Sequence, residues 1–174
     1  MPYDDPTLLR VAKALSATLE DITVANGYHT DLSPQGAKRR VFRGRAIFGA
    51  RDPLPMISIL EVPLPEDTIV AAEDNPVQVG PWELILQGFA PDDAENPTDP
   101  AALMLADVKR RLSMEKVRDH GNDIFGMGDT VTGLRMGRGV VRPPDELSAK
   151  AYFWLNIVLD VVEDTLDPYG ENEA

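Results

Sequence analysis

The chain predicts an α+β fold: a mixed or mainly antiparallel sheet of about five to six strands with two helices packed on it. Three observations predict it. Two segments carry apolar residues at helical spacing, and each opens on Asp-Pro, at Asp5-Pro6 and Asp99-Pro100. Several short segments alternate apolar and polar residues or are rich in β-branched ones. Most of these lie between the two helical segments.

In chain order, Asp5 reads as a helix N-cap and Pro6 as the first helical residue. Leu8, Val11, Leu15, Leu19 and Ile22 then follow a 3.6-residue period, and Asn26-Gly27 supplies a stop. The spacing predicts a helix from Pro6 to about Ala25. Tyr28 to Leu32 is a strand candidate. Val41 to Phe48 alternates, placing Phe42, Gly44, Ala46 and Phe48 on one face and Arg43 and Arg45 on the other. Met56 to Val62 is a β-branched strand. Pro63 to Pro81 reads as an acidic connection. Trp82 to Phe89 is a strand with Trp82, Leu84 and Leu86 on one face and Glu83 and Gln87 on the other. A second helix spans Pro100 to about Glu115, with Lys109, Arg110 and Arg111 near its end to oppose the helix dipole. Lys116 to Gly139 holds six of the thirteen glycines and reads as a flexible arm. Gly139 to Arg142 is a short strand. The last element, Ala151 to about Glu163, has Phe153, Leu155, Ile157, Leu159 and Val161 at period two, with Asn156 and Asp160 opposite. A strand that long against a usual five or six residues is expected to offer an edge beyond its own domain. The whole chain, residues 1–174, is expected to form one domain.

Composition narrows the function classes. There is no cysteine, hence no disulfide, thiolate nucleophile or thiolate-bound zinc. The acidic, proline-rich start and the lack of any long uncharged apolar run predict neither a secretory signal nor a membrane span. The formal net charge of -12 opposes nonspecific DNA binding. Charge is also sorted by sign. Asp52 to Val108 holds acids and no Lys or Arg, whereas Lys38, Arg39, Arg40, Arg43, Arg45 and Arg51 crowd together.

Motifs for chemistry are weak. Gly126-Met127-Gly128 and Gly137-Arg138-Gly139 lack the third glycine and the strand-turn-helix setting of a phosphate cradle. His29 and His120 are the only histidines and have no ligand spacing. Asp119 to Asp123 lacks the glycine and terminal glutamate of a calcium loop. The serines lie in no nucleophile elbow. No catalytic, cofactor-binding or metal-ligating residue is therefore assigned, and the protein is expected not to be an enzyme. A carboxylate-only enzyme or ligand-binding site is the rival from another class. The sorted charge favours docking of one copy on the next, patch to unlike patch, a contact type that closes into rings. Arg39, Arg43, Arg45, Asp160 and Asp164 are the interface candidates.

The order of segments resembles the tail-terminator, or tail-completion, proteins of long-tailed bacteriophages. The likeness rests on the N-terminal amphipathic helix, the Tyr-containing strand Tyr28 to Leu32, the basic strand Arg39 to Phe48, the strands Met56 to Val62 and Trp82 to Gly88, the Pro-initiated helix with Ala-Leu-Met-Leu-Ala-Asp-Val-Lys-Arg, and the closing strand with its acidic tail. The resemblance implies a ring, typically hexameric, that caps the tail tube, ends its polymerisation and offers a surface to the head-side connector. The partners it implies are further copies of the chain, the tube protein and the connector. DNA would be only a passing genome, and no membrane would be involved. The setting would be the host cytoplasm during assembly, then the head-proximal end of the virion tail. Glu66, Asp67, Glu73, Asp74, Asp92 and Asp93 are candidates to line the bore, where acids would repel phosphate. The glycine-rich arm, with Ile124, Phe125 and Met127, would dock on a neighbour. A connector, a stopper or a tube subunit are alternative roles in the same particle.

Overall fold

A computed structural model of the protein describes residues 5–49, 51–63 and 75–170. It is α+β, with helices α1 (Thr7–Glu20) and α2 (Asp99–Val117) and strands β1 (Val41–Arg43), β2 (Met56–Glu61), β3 (Val77–Phe89), β4 (Val131–Met136), β5 (Val140–Arg142) and β6 (Tyr152–Asp164). The sheet runs β1-β2-β3-β6-β4, with β5 also on β6, and it does not close. β1 lies parallel to β2 and every other pair is antiparallel.

α1 buries Val11, Leu15 and Leu19, the stripe that the helical period marks. Its first turn is tied to the far end of the chain, because the Thr7 N–H donates to the Pro168 carbonyl at 2.9 Å. The helix begins one residue later than expected. Pro6 takes the N-cap place, and Asp5 instead pairs with Lys13. It also ends sooner, at Glu20. Thr23 turns extended and caps a separate 3-10 turn, Val24–Asn26, through its side chain. Gly27, at φ 82°, closes that turn rather than the helix.

No strand forms over Tyr28 to Leu32. Tyr28, Thr30 and Leu32 are buried alternately, as in a strand, but the Tyr28 and Leu32 N–H groups donate to the nearby Thr23 and Ile22 carbonyls, and those of His29 and Thr30 go to a side chain. The buried Asp107 of α2 accepts the N–H groups of His29 and Thr30 at 2.9 and 2.8 Å. That carboxylate satisfies donors that a neighbouring strand would otherwise take.

β1 is three residues long, not the expected eight. Gly44, at φ 68°, turns the chain after one last bond from its N–H to the Ile59 carbonyl. The acidic connection is shorter than expected, because Val77 to Pro81 already belongs to β3. The Val62 N–H donates to the Glu83 carbonyl, so the alternation of β3 aims the backbone of Pro81 at the same edge. There β2 has ended, and Pro81 has no N–H to leave unpaired.

β3 and β6 pair along thirteen positions each, from Val77 with Asp164 to Phe89 with Tyr152. Gly88 faces Phe153, and a Cβ on it would lie 2.1 Å from the ring. The missing side chain is what admits the ring into the core. β6 is central, with β3 on one side and β4 and β5 on the other. It therefore has no edge to lend beyond its domain, contrary to the expectation from its length.

Both helices pack on one face of the sheet. Their apolar stripes meet Val41, Ile57, Ile59, Leu84, Leu86, Phe153, Leu155, Ile157, Leu159 and Val161 in one core. The expected flexible arm is also part of this core. α2 continues to Val117, three short 3-10 turns follow, and β4 joins the sheet. Ile124 and Phe125 are buried in the core and Met127 packs against it. The anchor is the buried Glu115, which accepts the Phe125 N–H at 2.9 Å and an Arg111 N–H at 2.6 Å. Asp119, His120 and Phe125 all stand at positive φ, so the turn depends on being held.

Candidate subunit interface

The face of the sheet away from the helices follows from the register. Across β2, β3 and β6 it presents Met56, Phe89 and Tyr152, then Ser58, Gln87 and Trp154, then Leu60, Ile85 and Asn156. Beyond the end of β2 it continues with Glu83 and Val158, Pro81 and Asp160, Val79 and Val162.

One end of this face is covered by residues 44–49 and 51–55. Ser58, wholly buried, donates its hydroxyl to the Arg45 carbonyl at 2.6 Å and fixes that cover to the sheet. Ring centroids from Phe42 to Phe48, Phe89, Tyr152 and Trp154 are 5.1 to 6.1 Å apart in sequence of contact, an aromatic row across the face. The Arg45 guanidinium lies over Phe42 and Phe48 at 4.7 and 4.9 Å. A cavity of about 300 Å³ opens beneath the cover, with Phe48, Phe89, Gln87 and Lys150 in its wall.

The rest of the face is not covered by any described residue. Val77, Val79, Val140 and Trp154 are between 38% and 54% exposed for the valines and 37% for the tryptophan. Trp154 and Val140 stand towards one end of this face and Val77 and Val79 at the other, making it a candidate contact surface. Sequence reading took the opposite face of β6 from its core residues as polar, on the strength of Asn156 and Asp160. The signal against that was present: Tyr152, Trp154, Val158 and Val162 stand on the same face.

The residues singled out from the sequence are dispersed. Arg43 and Arg45 do not share a basic face. Arg43 reaches the α1 side, where it donates to the Ser16 hydroxyl at 3.2 Å, and Arg45 bends to the other side and pairs with Asp52 at 2.7 Å. The turn at Gly44 separates them. Arg39 is exposed. Asp160 pairs with Arg135 at 2.8 Å in the gap left by Gly133, where the β4 register shifts. Asp164 accepts the Leu166 N–H at 2.9 Å. Arg45 and Asp160 thus spend their charge within the subunit. Glu66, Asp67, Glu73 and Asp74 lie outside the described residues. Asp92 pairs with Lys150, and Asp93 accepts the N–H groups of Glu95 and Asn96. Ile124 and Phe125 are core residues, so they are not available as a docking arm.

Several carboxylates are held below the usual range by the turns they organise. In Asp93 the cause is the Asn96 N–H, then that of Glu95. In Asp52 it is the Gly49 N–H, with Arg45 adding to it against some desolvation. In Asp145 it is chiefly the Tyr152 hydroxyl, which donates at 2.8 Å, then the N–H groups of Leu147 and Ser148. The same bond, after desolvation, pushes the Tyr152 phenol up. A carboxyl with a lowered folded pKa adds stability above its unfolded value, and that stability is lost as pH falls through the folded pKa. Asp145→Asn should therefore melt below the parent protein at neutral pH. The gap should close below the ordinary value of 3.8, as thermal melts from neutral to acid pH would register. A gap that stays constant with pH would remove this role.

Among the described residues, no three His, Asp or Glu side chains are grouped to hold a metal ion, and no helix is long and apolar enough to cross a membrane. No protein-family model matches the chain, and no curated protein is detectably similar to it.

Proposed function

We propose that the protein is a structural subunit of a long-tailed phage that assembles into a ring, caps the tail tube, ends its growth and offers a joining surface to the head-side connector. The observation that carries this reading is the sheet face that the described residues leave uncovered, with Trp154, Val140, Val79 and Val77 on it. A single layer of helices on one side of an open sheet leaves apolar surface that a neighbour must cover. The order of the chain's segments supports the same reading. Copies docking through unlike surfaces close into a ring when the rotation allows it.

Native mass spectrometry with electron microscopy of the purified protein tests this. The expected result is a discrete ring, alone or on addition of the tube protein. Long filaments would favour the tube-subunit role instead. Trp154→Glu should weaken assembly by about 2 kcal/mol or more per contact, roughly thirtyfold in the dissociation constant, with the melting temperature little changed. A monomer at every concentration, with and without the tube protein, would overturn the reading.

A further inference from the structure

A second surface has the make-up of a docking site and lies on the helix layer. Arg110, in the later turns of α2, is fixed in place on two sides. Its guanidinium lies 5.0 Å from the centre of the Tyr28 ring, and its Nη1 donates to the Gly27 carbonyl at 2.9 Å. Among the described residues it has no carboxylate partner, although Arg111 beside it has two, Asp21 and Glu115. Met114 follows Arg110 by one turn of α2 and Val117 by about two, on the same side of the helix, and Val24 opens the 3-10 turn that Gly27 closes; they are 52%, 71% and 64% exposed. The Tyr28 hydroxyl donates to the Met114 sulfur at 3.5 Å, so the buried Tyr28 ring braces both the thioether and the guanidinium from beneath. An arginine already ordered by stacking loses little freedom on binding, and Arg, Met and Tyr are the residues enriched where proteins meet.

The complement of this patch is on the same chain. The turn before β6 carries Glu146 and Leu147. Leu147 is 73% exposed, and Glu146 is exposed with no cation partner among the described residues. The turn is rigid, because Asp145 accepts the N–H groups of Leu147 and Ser148 as well as the Tyr152 hydroxyl. Leu166, the other exposed leucine near acids, is less suited. Its neighbour Asp164 is occupied by the Leu166 N–H.

Within one subunit Glu146 and Arg110 are not paired, and the two surfaces lie at different levels of the helix layer. The turn leads into β6 at the end of the sheet where α2 begins, since the Ala90 N–H donates to the Ala151 carbonyl. Arg110 is eleven residues beyond Asp99, where α2 begins, so the patch lies roughly 16 Å further along the helix axis. We infer that the Arg110 patch receives the Glu146-Leu147 turn of a second copy, with the carboxylate on the guanidinium and the leucine among Val24, Met114 and Val117. The contact presupposes the ring assembly proposed above and names the surfaces that join in it. It pairs unlike surfaces, so it propagates from copy to copy.

Charge reversal decides it. Glu146→Arg, on an exposed turn, and Arg110→Glu should each lower the apparent association constant at least about tenfold. The doubly reversed chain, Arg110→Glu with Glu146→Arg, should recover most of the loss, read by native mass spectrometry beside a melting curve for each variant. Recovery is a result that general damage to the fold would not give. If the parent protein forms its ring and Glu146→Arg forms it equally well, this contact is wrong and the ring reading stands. If the parent protein never associates, both fall together.

Discussion

Replacing Glu115 with alanine should cost about 3–5 kcal/mol of stability, the cost of breaking a buried pair from one side. For a domain of this size that corresponds to roughly 6–20 °C in melting temperature. The reason is the number of groups its carboxylate serves. It takes Arg111 at 2.6 Å, Arg118 at 3.4 Å and the Phe125 N–H at 2.9 Å. Arg111 would keep only Asp21, and the Phe125 N–H would be left buried without an acceptor. Glu115→Gln keeps an acceptor for that N–H and should fall between the two. A loss under about 1 kcal/mol for the alanine variant would mean that apolar packing alone holds the following turns.

The second large effect is removal of residues 119–135. A free arm could be cut away and leave a folded subunit. Here the cut would take Ile124, Phe125, Val131 and Leu134 from the core and strip β4 from β6. Losing one large core side chain costs about 3–5 kcal/mol, against a total stability of about 5–15. The expected product has no cooperative melting transition by circular dichroism. A shortened chain that melts sharply near the parent temperature would return the segment to the status of an arm.

Period and composition made much of this fold legible. The stripe Val11, Leu15, Leu19 found its helix, and the alternation from Phe153 to Val161 found its strand. Three features escaped for separate physical reasons. The Lys116 to Gly139 segment looked mobile because glycines there serve tight turns, at Gly121, Gly126 and Gly128, each at positive φ. Nothing in the local pattern shows that a glutamate at 115 will fold those turns back. Tyr28 to Leu32 had the alternation of a strand, but the His29 and Thr30 N–H groups go to Asp107, 77 residues on from Thr30. The basic run from Lys38 to Arg51 looked like one face until Gly44 turned it. On the exposed sheet face, Trp154 could have been found by noticing apolar residues on both faces of β6. The Arg110 patch could not, since it depends on a turn at Gly27 meeting a helix far along the chain.

Pro81 bears on how copies of this molecule can and cannot stick together. Over Val77 to Pro81, β3 runs past the end of β2, where an intruding strand would seek hydrogen bonds, and one donor is missing there. The other flanks of the sheet are no more hospitable: β1 offers three residues and β4 is kinked at Gly133. Amyloid-like stacking, which grows by backbone ladders, gains little purchase on such borders. Whatever joins this protein must recognise its side chains, so a partner can be gained or lost by a handful of substitutions while the scaffold stays intact.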